Sequence, residues 1–143
     1  MRNDLEVSQS IDVNANLDKV WEALTTPDII KEYLYGTETV TDWKVGSDIV
    51  FQGEWEGNKY RDSGVIIENT PKALISYSYW SGFSGLENKP ENHSTITYTL
   101  TRIDAHTTRF TWTQRGYANE QGYEHSKGGM TEFLAKVKEV MER

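Results

Sequence analysis

The segment Ile11–Leu34 limits the choice of fold more than any other part of this chain. Ser8 to Val13 alternates polar and apolar residues, as a half-buried strand does. Asn16 then stands where it caps a helix on which Val20, Trp21 and Leu24 share one face. Thr26 caps a second start, with Pro27 at the first helical position and Asp28 beside the positive end of the helix dipole. A strand followed at once by two short capped helices is an uncommon opening. It matters because everything after it, up to the last helix, reads as antiparallel sheet.

Beyond Gly36, strands are expected at about Thr37–Thr41, Ser47–Trp55, Tyr60–Asn69, Ala73–Trp80, His93–Arg102 and Thr107–Gly116. Turn residues separate them at Val45-Gly46-Ser47, Glu56-Gly57-Asn58, Asn69–Lys72 and Asp104–His106, and Ser81–Asn92 reads as a longer, mobile loop. Thr95, Thr97, Thr99 and Thr101 alternate with Ile96, Tyr98 and Leu100, and Thr111 and Thr113 alternate with Phe110 and Trp112. Such strands belong to a sheet covered on one side only. Ile75, Tyr77 and Tyr79 are expected on the covered face, with Ser76 and Ser78 outward. The cover is the final segment, where Met130, Phe133, Leu134, Val137 and Met141 form a helical apolar stripe and Glu132 and Lys136 lie four apart on the outer side. This helix is expected from about Asn119 or Glu120 to Met141, although Gly122, Gly128 and Gly129 each weaken it by about 1 kcal/mol relative to alanine.

No repeat or linker interrupts the 143 residues, so one domain over 1–143 is expected. No run approaches the ~20 apolar residues that cross a bilayer. Met1–Leu5 lacks the apolar core of a secretion signal, which implies a cytoplasmic location. The absence of cysteine excludes disulfides, thiol catalysis and thiolate metal sites. With 22 acidic against 15 basic residues the net charge is −7, which disfavours a nucleic-acid partner. Neither a His-Glu-x-x-His pair nor a phosphate-binding glycine loop is present, and no metal or cofactor is implied. Of the three histidines, His106 lies in a turn, His93 begins a strand, and His125 precedes the apolar stripe where it has access to a cavity mouth. Glu54, Glu56, Arg61 and Asp62 cluster around one hairpin and read as a solvated edge. Glu54 or Arg61 turned inward would anchor a polar head group or act as a general base.

The order of strand, two short helices, six strands and long C-terminal helix resembles the helix-grip fold of the START-like (SRPBCC, Bet v 1-like) superfamily. Within it the chain is similar to the AHSA1-like group, named after the C-terminal domain of the activator of Hsp90 ATPase. The residues carrying the resemblance are Val13-Asn14-Ala15, Val20-Trp21-Glu22-Ala23-Leu24-Thr25-Thr26-Pro27, Trp43–Ser47, Gly64-Val65-Ile66 through Pro71, Leu74–Trp80, and Gly129 before the closing stripe. Such proteins often carry tryptophan where Tyr33 or Leu34 stands here, and again where this chain has Met130. The eukaryotic activator also has an additional N-terminal domain that these residues do not match.

The resemblance implies an α+β architecture: a curved antiparallel sheet of about seven strands wraps the C-terminal helix, with space between them. This chain carries 17 aromatic residues, many at positions expected to face the helix. Trp55, Tyr77, Tyr79, Tyr98, Phe110, Trp112, Met130, Phe133, Leu134 and Val137 are the expected lining of a cavity that holds a hydrophobic or amphipathic small molecule. The plainer expectation for each is core filling. Two other functions stay open, a cyclase-like or hydrolytic enzyme using the same cavity and a chaperone-interacting module. Monomer and homodimer stay open as well.

Overall fold

The structure, a computed structural model, describes residues 1–143. Strand β1 (Arg2–Val13) leads into helices α1 (Leu17–Thr25) and α2 (Pro27–Tyr33). There follow β2 (Glu38–Val40), β3 (Asp48–Trp55), β4 (Asn58–Thr70), β5 (Leu74–Tyr79), β6 (Ser94–Asp104) and β7 (Thr107–Tyr117), and the chain closes with α3 (Glu120–Met141). The strands form one antiparallel sheet in the order β1-β7-β6-β5-β4-β3-β2. Because β1 and β2 lie at opposite edges, the two short helices carry the chain across the whole width of the sheet.

The Asn16 side chain accepts a hydrogen bond from the Lys19 N–H, as its position predicts. Thr26 works differently from the expectation, since its side chain makes no cap bond. Its backbone serves both helices instead: the N–H donates to the Glu22 carbonyl of α1, and its carbonyl accepts from Ile29 and Ile30 of α2. β1 starts at Arg2, well before Ser8, because pairing with β7 continues past a register shift between Arg2 and Glu6. Polar Gln9 interrupts the apolar alternation of β1, and its amide donates to Thr131 of α3. The segment after Trp80 carries two 3₁₀ turns, Gly82–Ser84 and Pro90–Asn92, and the Trp80 indole donates to the Leu86 carbonyl across it.

Sheet curvature has a local cause at Gly64. A Cβ there would stand 1.6 Å from the Ser78 carbonyl oxygen, so only glycine lets β4 come this close to β5. The outer face is polar, with Ser8 bonded to Thr113, Ser10 to Thr111 and Ser76 to Thr97 through their hydroxyls. Ser76 is outward as expected yet buried, because its small side chain lies among the longer ones of neighbouring strands. The inner face and the helices share one apolar cluster, which includes Val20, Leu24, Ile75, Phe110, Leu134, Val137 and Met141.

α3 runs unbroken through its glycines. A Cβ at Gly128 or Gly129 would meet nothing within 4 Å, so these residues do not serve a close approach to the sheet. On the outer side Lys136 pairs with Glu139 rather than Glu132, at 3.9 Å. At the far end the Glu142 carboxylate accepts the Asn14 N–H at 2.7 Å and the Lys138 ammonium at 2.5 Å, tying α3 to the β1–α1 junction. Burial acts to raise the Glu142 pKa, but these bonds outweigh it and hold the carboxyl below its usual range.

Gly128→Ala is expected to raise stability by about 0.5–1 kcal/mol in a denaturant titration, since it removes backbone entropy from an open helical position. Glu142→Gln should cost about 1 kcal/mol at neutral pH. A carboxyl whose folded pKa is lowered stabilises the fold above its unfolded pKa of 4.5 and loses that contribution as pH falls through the folded value. Denaturation of both proteins in acid should therefore show the difference between them disappearing.

Candidate functional site

Burial along α3 is lopsided. Its buried residues, Met130, Leu134, Val137, Val140 and Met141, all fall from its midpoint onward. Seven residues before Met130 the stripe continues at Tyr123, whose ring packs 5.7 Å from that of Tyr117, but between them, at Ser126, no large apolar side chain reaches the sheet. A cavity of about 410 Å³ opens between residues 125–133 of the helix and the inner face of the sheet. That size falls within the roughly 300–1,000 Å³ of small-molecule sites.

β3 supplies Phe51, β4 Tyr60 and Asp62, β5 Tyr77 and Tyr79, β6 Ile96 and Tyr98, and β7 Trp112 and Gln114. α3 contributes His125, Ser126, Gly129, Met130 and Phe133, and the turn after α2 contributes Leu34, Tyr35 and Thr37. Tyr35, His125 and Gly129 are exposed, which places the mouth between that turn and the first half of α3.

Six of the ten residues expected to line the cavity meet there: Tyr77, Tyr79, Tyr98, Trp112, Met130 and Phe133. The other four lie elsewhere. Trp55 shares the parity of Phe51 along β3 but sits at the hairpin end, beyond the helix, and is 61% exposed. Phe110, Leu134 and Val137 are each 1% exposed, in the filled part of the interior beneath the second half of α3. Glu54 and Arg61 are exposed on the hairpin, away from the cavity. From that charged cluster it is Asp62 that turns inward, on the same strand face as Tyr60 and Ile66. His93 stays apart from the cavity, its ring bridging Ser78 Oγ and Asn88 Oδ1, and burial lowers its pKa. His106 is exposed in its turn.

The tyrosine hydroxyls are paired. Tyr77 and Tyr98 bond to one another at 2.7 Å, Tyr60 and Thr37 at 2.6 Å, and Tyr33, just beneath the lining, donates to the Ala23 carbonyl at 3.0 Å. Tyr79 donates to Asp62 Oδ2 at 2.6 Å, while Asp62 Oδ1 accepts the Gly82 N–H at 3.3 Å. Burial pushes the Tyr79 hydroxyl far above its ordinary range, and the adjacent Asp62 charge pushes it further. Burial likewise raises Tyr77, with Tyr98 adding to it, and raises Tyr98 itself. These phenols stay protonated at physiological pH. The rings also brace one another: Phe51 lies 5.6 Å from Tyr77, Tyr77 5.7 Å from Tyr98, and Tyr98 5.5 Å from Phe110, centroid to centroid.

Tyr77→Phe and Tyr98→Phe should each destabilise the protein by about 1–2 kcal/mol, because each leaves a buried hydroxyl without its partner. The double variant should cost less than the sum of the two, since neither hydroxyl then remains. A double-mutant cycle by chemical denaturation measures this coupling.

Comparison with known proteins places the architecture. The family described as activator of Hsp90 ATPase homolog 1-like protein matches residues 14–142. A protein from Cytophaga hutchinsonii is 37% identical, with 99% of this chain and 97% of that one covered at a TM-score of 0.82. The Aha1 dimer from Colwellia psychrerythraea is 18% identical, with 96% of each chain covered and a TM-score of 0.73. An Hsp90 activator from Plasmodium falciparum is 17% identical, again with 96% of each chain covered, at a TM-score of 0.74. No match was found among curated proteins. No helix is long and apolar enough to cross a membrane. With nearly its whole length matched, the chain belongs to the family of activator of Hsp90 ATPase homolog 1-like proteins.

Proposed function

We propose that this protein holds an apolar or amphipathic small molecule in the cavity between the sheet and the first half of α3. The observation that carries this reading is the local failure of the helix to fill the sheet. Ser126 and Gly129 face the aromatic wall where larger side chains would fill it, and about 410 Å³ is left. Aromatic walls bury a guest at low rotamer cost, and a few polar tips orient it.

A second reading, a cyclase-like or hydrolytic enzyme, draws on the Asp62 carboxylate within the same cavity. A carboxylate held by Tyr79 and Gly82 is positioned to accept a proton from a bound substrate. A third, contact with a chaperone, draws on the Plasmodium falciparum relative, which is an Hsp90 activator.

Met130 is 4% exposed and borders the cavity, so Met130→Trp grows into free space. It should weaken binding of an apolar fluorescent probe by about tenfold or more, while stability changes by about 1 kcal/mol or less. Titration of the probe against both proteins, with Trp112 as an internal reporter in the wall, measures this. Unchanged affinity removes Met130 from the binding site, and failure of every apolar probe to bind the unaltered protein ends the carrier reading.

A further inference from the structure

Asp62 is the one carboxylate in the cavity wall, and no lysine or arginine lines it. It is 7% exposed, and none of the ion pairs of the protein includes it. Its two partners, the Tyr79 hydroxyl and the Gly82 N–H, are neutral donors. A carboxylate has about four lone-pair directions, so these two bonds leave room for further donors. A buried charge is costly unless an opposite charge or further hydrogen bonds compensate it. Here that compensation is incomplete within the chain, and the open side of the group is the cavity.

The surroundings suit a cation. Phe51 stands directly across from Asp62 in the β3–β4 register, on the same face, and its ring lies 5.9 Å from that of Tyr79. Ring faces beside a carboxylate attract an ammonium group through their quadrupoles, more strongly when water is excluded. The remaining ionisable groups of the lining are tyrosines, of which Tyr77, Tyr79 and Tyr98 are held protonated by burial, and His125 at the exposed mouth. Nothing in the wall besides His125 is able to offer a positive charge to an anionic head, whereas Asp62 repels one.

We propose that the cavity selects an amphiphile whose polar end is a protonated amine, seated against the Asp62 carboxylate beside the rings of Phe51 and Tyr79, with its apolar part along Trp112, Met130 and Phe133. This rests on the carrier reading and narrows it to a ligand class, since a fatty acid of the same length would place like charge against Asp62.

The test is a head-group series of one chain length, dodecylammonium, dodecanol and dodecanoate, titrated into the intact protein at concentrations where each is monomeric, at about pH 8, where the amine is charged. The ammonium should bind roughly tenfold or more tighter than the alcohol, and the carboxylate more weakly than either. Asp62→Asn keeps an acceptor for Tyr79 while removing the charge, and should bring the ammonium to the affinity of the alcohol with the alcohol itself little changed. Equal binding of the three head groups, or an ammonium preference that survives Asp62→Asn, overturns the amine selection and leaves the carrier reading standing. No binding by any of the three or by a neutral apolar probe overturns both. The comparison in the unaltered protein decides the point even if Asp62→Asn fails to fold.

Discussion

The packing of α3 against the sheet divides the interior in two, and the rest of the structure follows from that division. From Met130 onward the helix places Met130, Leu134, Val137, Val140 and Met141 into the inner face, and burial of that kind stabilises by about 25 cal/mol for each Å² of apolar surface removed from water. Before it, Ser126 and Gly129 stand at the cavity where comparable side chains would go, while Tyr123 packs on Tyr117 beyond them. The C-terminal part of the helix therefore fastens the fold, and residues 125–133 border a space. The Glu142 clamp to Asn14 and Lys138 adds to the fastened end, far from the opening.

An unfilled space of this size persists only if its walls resist collapse. Interiors are close-packed, and a void is costly because its lining loses contacts on one side. Here the wall is a chain of tilted and edge-on rings running Tyr79, Phe51, Tyr77, Tyr98, Phe110, with the last ring in the filled core. The hydroxyls of three of these rings are locked by hydrogen bonds to one another or to Asp62. Core and cavity wall are thus one continuous structure, and rotating any of the three tyrosines inward would break a buried hydrogen bond costing about 1–3 kcal/mol.

How much of this was legible in the sequence depends on which physical signal carried it. The period of two in β6 and β7 placed Tyr98 and Trp112 on the inner face, and the stripe of α3 placed Met130 and Phe133, because each is a local pattern. The same patterns could not say where the cover ends. Trp55 has the right parity and lies past the helix; Phe110, Leu134 and Val137 face inward but sit under the packed half. Asp62 went unrecognised among its charged neighbours, although parity was enough to find it. Ile66 points inward, and stepping back by twos reaches Gly64, Asp62 and Tyr60 while leaving Arg61 outside. The glycines of α3 were visible too, but as a weakness of the helix. Their meaning as missing side chains depends on the sheet opposite, which is a tertiary fact.

The two places where the family resemblance leads one to expect tryptophan fall on the same space. At the end of α2, Tyr33 turns down into the core, where its hydroxyl reaches the Ala23 carbonyl, and Leu34 borders the cavity. On α3, Met130 borders it from the other side. An indole is larger than either Leu34 or Met130, and set at either position it would project into the opening between the α2 turn and the helix. Smaller, flexible side chains on both flanks leave that volume open while the aromatic wall behind stays fixed. Gate and wall are therefore set by different residues, so what the cavity admits is able to change without disturbing the ring chain along the inner face of the sheet.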